Sequence, residues 1–333
     1  MKRKKRGRIH LVPGFMVFAL SLVLIARSSA WCQDKYPSGP IELIVTFAAG
    51  GAADSAGRSL APYLSKYLGV PVVVKNVPPP RTGEDVFSRS KPDGYTIGVL
   101  AGVAVASDET FFHVRFQGKK FDWIGTNAAS PGLIFSNAKG PIQNFDDLAK
   151  VGAKRPIKIG AFSKYSSTTI ATMIALEEKK IPYTFVTGFK GAAPALTSMI
   201  RGEVDIMGTT LTSASAFYKS GDVKPLVIFQ SEPDPDVPDA PTLEKVGLSP
   251  SSGYLGSVVF ALAAPPGTSK AVRDTLAAAH KKAVEDPQYR AQLKKIGFSL
   301  SYVPPDKVHQ WINNIYEAYA KIKPMVQAEA KKK

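Results

Sequence analysis

Pro40-Ile41-Glu42-Leu43-Ile44-Val45-Thr46-Phe47-Ala48-Ala49-Gly50-Gly51-Ala52-Ala53-Asp54 reads as a strand, a turn and a helix start in immediate succession. Ile41–Phe47 is a near-continuous apolar run of strand length, the pattern of a strand covered on both faces. The turn that follows is built only of alanine and glycine. Asp54 stands where a helix N-cap belongs. Beyond it Leu60, Leu64, Tyr67 and Leu68 recur at helical spacing, and Gly69 closes the segment. Arg58, four residues after Asp54, is placed for an i,i+4 ion pair.

The same alternation continues outward. Val72–Lys75, Thr96–Leu100, Leu133–Ser136, Ile157–Ala161, Tyr183–Val186, Val204–Met207 and Leu226–Phe229 are strand-like runs. Between them lie helical patterns: one from about Phe145 behind the cap Asn144, one carrying Ile170, Met173 and Ile174 behind Ser166 or Ser167, and one lined by Ala195, Leu196, Met199 and Ile200. Repeated strand–helix alternation predicts an α/β fold with largely parallel sheets. Glu232–Pro241 holds four prolines and four acids and is expected to be an exposed connection. Gly256–Ala263 is expected to return to the first sheet. Two or three helices finish the chain, the last with Val308, Trp311, Ile312, Ile315, Tyr319 and Ile322 on one face.

The length of 333 residues suits two domains. A chain that is 44% hydrophobic and 21% charged, with a mean hydropathy of −0.04, is neither disordered nor polytopic. One cysteine, Cys32, forbids an internal disulfide, and four scattered histidines offer no metal-binding tract. Met1–His10 is cationic, Leu11–Ala26 apolar, and Ser28-Ser29-Ala30 small. That is the layout of a secretory signal peptide over 1–30, cut near Ala30. The apolar run is too short to span a bilayer, which needs about 20 residues. Trp31 before Cys32 argues against a lipid anchor there. The formal net charge of +16 falls to +9 once the seven basic residues of the first thirty are removed.

Catalytic signatures are missing: GxGxxG, GxxxxGK[ST] and GxSxG do not occur, and no histidine accompanies a nucleophile. No metal or cofactor is expected, and enzymatic activity is not. Dispersed positive charge on an exported chain disfavours nucleic acid, but it attracts small anions. Three small-residue turns each lead into a helix start: Ala48–Asp54, Ser163–Ser167 and Gly188–Ala193. Free N–H groups and the positive end of the helix dipole suit such turns to carboxylates.

Tyr36-Pro37-Ser38-Gly39-Pro40-Ile41, Phe47–Asp54, Leu68–Asn76 and Pro92-Asp93-Gly94-Tyr95-Thr96 together resemble the substrate-binding proteins of tripartite tricarboxylate transporters, the Bug family. Lys190–Leu196, Gly202-Glu203-Val204-Asp205, Val237–Thr242 and Ala264-Pro265-Pro266-Gly267-Thr268 extend the resemblance to the C-terminal part. The resemblance implies a periplasmic-binding-protein-like fold of type II, with domains at 36–130 plus 254–333 and at 131–253 around a ligand cleft. It also implies a periplasmic monomer that hands a small organic acid to the membrane permease subunits. An exported sensory module without its own permease is the alternative, and an exported enzyme the third possibility.

By matching positions, the ligand-binding set implied by the family is Ala49, Gly50, Gly51, Ala52, Ala53 and Asp54, with Asn76 and Arg81 from the same domain. Ser163, Tyr165, Ser166, Ser167, Lys190, Gly191 and Thr209 come from the other. The sequence departs from the family pattern in four places. Ala49 replaces a proline, Thr209 an aspartate and Thr169 a histidine. Val77-Pro78-Pro79-Pro80-Arg81-Thr82-Gly83 replaces a glycine-rich loop and brings in a positive charge.

Overall fold

The computed structural model describes residues 36–249, 253 and 255–331. The signal peptide expected over 1–30, the expected cut near Ala30 and Cys32 lie outside the described residues. The described residues from Gly39 onward form one compact unit that contains two five-stranded sheets.

The first sheet is built from β1 (Ile41–Val45), β2 (Val72–Asn76), β3 (Thr96–Ala101), β4 (Asp122–Ser130) and β10 (Val258–Ala264), in the order β2-β1-β3-β10-β4. Helices α1 (Ala52–Leu68), α2 (Pro80–Ser88) and α3 (Gly102–Phe111) connect its early strands. Helices α8 (Lys270–Glu285), α9 (Pro287–Lys295) and α10 (Pro305–Lys331) complete this lobe. The predicted stripe of α10 is its buried face: Val308, Ile312, Ile315 and Tyr319 are all within 1% of full burial.

The second sheet holds β5 (Gly132–Asn137), β6 (Ile157–Gly160), β7 (Tyr183–Val186), β8 (Ile206–Thr210) and β9 (Val223–Ile228), ordered β7-β6-β8-β5-β9. It is wrapped by α4 (Asp147–Gly152), α5 (Ser167–Glu178), α6 (Ala192–Ile200) and α7 (Leu211–Lys219). Along β5, Ile134 joins one apolar cluster with Ile159, Leu176 and Ile206, while Leu133 and Phe135 join another with Leu196, Met199 and Met207. The alternation puts a core on each face of the sheet, which is why the strand reads as unbroken apolar sequence.

The sheets are mixed rather than largely parallel. β1 pairs in parallel with β2 and β3, and β6 with β7 and β8. β10 runs antiparallel to β3 and β4, and β5 antiparallel to β8 and β9. Each reversed strand is the one that enters its sheet directly after the chain crosses from the other lobe. Such a strand needs no crossover helix, so strand–helix alternation does not reveal it. The alternation likewise gives no sign of strand β4 or of helices α2 and α3, and α4 begins at Asp147 rather than Phe145. Its N-cap is Asp146 rather than the expected Asn144, although the Asn144 Oδ1 accepts the Asp147 N–H at 3.0 Å from the turn before it.

Only Pro131 separates β4 from β5. At this crossing Gly132 faces Gly256 of the returning segment so closely that a Cβ at either position would overlap its neighbour: the Gly256 carbonyl for Gly132, the Phe229 side chain for Gly256. The lobes also meet through apolar side chains. Ile170 and Met173 of α5 share a cluster with Val103 and Ala106 of α3.

Candidate functional site

The turn after β1 is held by a carboxylate from within the helix it precedes. Gly51, not Asp54, is the N-cap of α1, and it makes no side-chain cap bond. Asp54 lies in the first turn and reaches backward. Its Oδ2 accepts the Gly50 N–H at 2.9 Å and the Arg58 Nε–H at 2.9 Å, and its Oδ1 accepts the Asn76 amide at 2.9 Å. The expected Asp54–Arg58 pair is therefore present. This is the backward reach of a capping box without its forward half.

Asn76, at the end of β2, closes the network. Its amide nitrogen also donates to the Phe47 carbonyl at 3.0 Å, and its Oδ1 accepts from Arg58 at 3.0 Å. Burial pushes the Asp54 carboxyl up, and the Arg58, Gly50 and Asn76 hydrogen bonds outweigh it, so the group stays ionised below the ordinary aspartate value. Gly50 has a φ of +82°, a left-handed backbone that glycine adopts without strain.

The result is an exposed turn, Ala48–Gly51, over a buried anchor, with Asp54 5% exposed. The first intrahelical bond is Ser55 N–H to Gly51 C=O, 2.9 Å. The N–H groups of Ala52, Ala53 and Asp54 precede it and have no carbonyl within the helix. Ala49, Gly50, Gly51, Ala52 and Ala53 thus form an exposed-to-buried backbone turn held in shape by Asp54, Arg58 and Asn76, with the Gly50 N–H already donated to Asp54.

In the second lobe Ser166 is the N-cap of α5: its Oγ accepts the Thr169 N–H at 3.3 Å and contacts the Thr169 hydroxyl at 2.7 Å. Ser163 accepts the Tyr165 N–H at 3.1 Å. Ser167 is the first helical residue. Thr168 donates to the Gly208 carbonyl at 3.1 Å, which ties this helix start to β8, where Thr209 follows, 2% exposed. Ser163, Ser166, Ser167 and Thr209 therefore belong to one locality. Lys190 is exposed and Gly191 is the N-cap of α6. Among the described residues no hydrogen bond or ion pair links either to the other two turns.

Tyr165 and Arg81 face each other through residues that the sequence did not single out. The Tyr165 ring lies 5.3 Å from Phe111 and 4.9 Å from Phe112, and its carbonyl accepts from Ser107 at 2.7 Å. Arg81, near the start of α2, stacks on Phe112 at 4.0 Å and approaches Asp108 at 3.4 Å. All four partners lie on α3 or directly after it. Its sequence, Gly102–Phe111, lacks an amphipathic stripe because both sides are covered, so periodicity gives no signal.

No group of three His, Cys, Asp or Glu side chains among the described residues is arranged for a metal ion. No described helix is long and apolar enough to cross a membrane.

A family model described as tripartite tricarboxylate transporter family receptor matches residues 56–330. A UPF0065 protein of Bordetella pertussis is 31% identical over 273 residues, 80% of this chain and 83% of its own. Among solved structures, the periplasmic binding protein BugD aligns with a TM-score of 0.74 at 24% identity, over 88% of this chain and 99% of its own. MatC from Rhodopseudomonas palustris, solved with bound malate, aligns with a TM-score of 0.73 at 24% identity, over 86% and 99%. The two-lobed arrangement described above is thus the fold of periplasmic binding proteins.

Proposed function

The chain belongs to the tripartite tricarboxylate transporter receptor family, and from that membership we propose that it captures a small organic carboxylate between its lobes. It delivers the acid to a tripartite-type membrane permease after export behind the 1–30 signal peptide. The domains divide at 36–130 with 254–333, and at 131–253. Binding involves no covalent chemistry: the ligand stabilises the closed arrangement of the lobes.

The observation that carries this reading is the exposed Ala48–Gly51 turn fixed from beneath by Asp54, Arg58 and Asn76. It presents peptide N–H groups at a helix N-terminus while the Asp54 carboxylate oxygens are turned inward. A carboxylate at such a terminus gains about 0.3–2 kcal/mol from the dipole. Hydrogen bonds to a charged partner add about 1.5–3 kcal/mol each. Three such bonds reach the roughly −8 kcal/mol of micromolar binding. Ser163, Ser167 and Thr209 supply hydroxyl donors from the opposite lobe, with Ser166 shaping the helix start beside them. The malate in MatC makes dicarboxylates the first ligands to try.

Thermal-shift and calorimetric titration of the mature chain with a panel of mono-, di- and tricarboxylates tests the reading. At least one acid is expected to raise the melting temperature and bind with micromolar affinity. Stabilisation by neutral or cationic solutes alone refutes it.

A further inference from the structure

Phe112 stands between groups from opposite lobes. On one side is the Arg81 guanidinium, its carbon 4.0 Å from the ring centroid. On another is Tyr165, ring to ring at 4.9 Å in an edge-on arrangement, with its backbone tethered by the Ser107 hydroxyl. Stacking fixes the plane of the guanidinium without occupying its donors. Arginine has five N–H donors, and the only side chain paired with Arg81 among the described residues is Asp108, through one long contact of 3.4 Å. The Arg81 side chain remains 49% exposed. Burial, against the pull of Arg81 itself, disfavours the charge on Asp108 and weakens it as a competitor.

The start of α2 also adjoins the Ala48–Gly51 turn. Gly83 lies against Thr46, Val77 N–H donates to the Val45 carbonyl, and Asn76 donates to the Phe47 carbonyl. Arg81 and the Gly50 turn therefore flank the same end of β1.

We propose that Arg81 recognises a second negative group on the ligand, with Phe112 as its positioning residue, and that Tyr165 docks on Phe112 to make this recognition depend on lobe closure. The inference rests on the carboxylate reading above and narrows it. The chain selects dianionic acids over monoanionic acids of the same length. It does so with a guanidinium whose platform is completed only when the second lobe arrives. One lobe thus reads the first carboxylate in either state, and both lobes are needed to read the second.

The test compares affinities for succinate, glutarate and adipate with those for butyrate, pentanoate and hexanoate, by calorimetry on the mature protein. The wild type is expected to favour one diacid over its monoacid by about tenfold or more, the worth of one charged hydrogen-bonding group. Arg81→Gln lowers that ratio about tenfold, and Arg81→Lys, which keeps charge without the stacked fork, lowers it less. Asp108→Asn moves it the other way by freeing the guanidinium. Phe112→Leu lowers the ratio, and Tyr165→Leu lowers it more than Tyr165→Phe. Ligand-free melting curves exclude misfolded variants, and a purely structural role would shift those curves without moving the ratio. An unchanged diacid-to-monoacid ratio in folded Arg81→Gln overturns the proposal while leaving carboxylate binding intact. If none of the six acids binds the wild type, this proposal falls, and the wider panel above decides whether the carboxylate reading falls with it.

Discussion

Two buried ionisable side chains in the first lobe give the protein opposite responses to pH. His280, on α8, is fully buried, and neither ring nitrogen has a hydrogen-bond partner among the described residues. Its ring lies against Gly125 and near Tyr302. Burial lowers its pKa to about 3. Between the ordinary histidine value and 3, the unfolded chain binds a proton that the folded chain refuses, so stability falls as pH falls through that window. At pH 4.5 the loss amounts to about 2–3 kcal/mol. Glu84 is equally buried with both oxygens unpartnered among the described residues, and burial, reinforced by Asp108, raises its pKa well above the usual value. Here the unfolded chain releases its proton first, so stability falls as pH rises above the ordinary glutamate range. His280→Leu is expected to flatten the decline in melting temperature between about pH 6.5 and 4.5. Glu84→Gln is expected to raise the melting temperature more at about pH 8 than at about pH 5. Parallel melting curves for either variant and the wild type across those ranges would remove that residue from the account.

At the scale of elements, the unit that matters is β1, its turn and the first turn of α1, together with the end of β2. Asp54→Ala leaves the Gly50 N–H, the Asn76 amide and the Arg58 guanidinium without their shared acceptor. A loss of about 1–3 kcal/mol in unfolding free energy is expected, measured by denaturant titration, together with weaker binding of any carboxylate ligand. Asp54→Asn, which keeps one acceptor oxygen, should lie between. Much of this unit is legible in the sequence, because Ile41–Phe47 and the Leu60–Leu64 spacing follow from burial alone and the i,i+4 pair from helix geometry. The placement of Asp54 is not: an aspartate near a helix start reads as the cap itself, and only the path of the chain makes Gly51 the cap and Asp54 the brace. The participation of Asn76, 22 residues away in sequence, depends on β1–β2 pairing. The Phe111–Phe112–Tyr165 contact is hidden for a related reason. It joins segments that meet only when both lobes are in place, and local spacing carries no trace of it.

In the whole molecule, the two lobes communicate through the paired crossings at Pro131-Gly132 and Gly256 and through the α3–α5 face. Adding a methyl at Gly132 forces the crossings apart, because the Gly256 carbonyl occupies the space and Thr168 Cγ2 lies 3.0 Å from the new carbon. Gly132→Ala is expected to cost about 1–3 kcal/mol of stability, as overpacking does, and to change the ligand-induced contraction measured by small-angle scattering. A variant with wild-type stability and contraction would show that the crossings have slack. The position of β10 has a consequence for assembly during synthesis. It fills the gap between β3 and β4 in the first sheet, so that sheet lacks an interior strand until Ala264 has been made. The second sheet, whose strands all lie within 132–228, has no such wait. Nascent chains shorter than this point should hold a finished distal half and an unfinished proximal one, leaving the earliest-made segment the last to become compact.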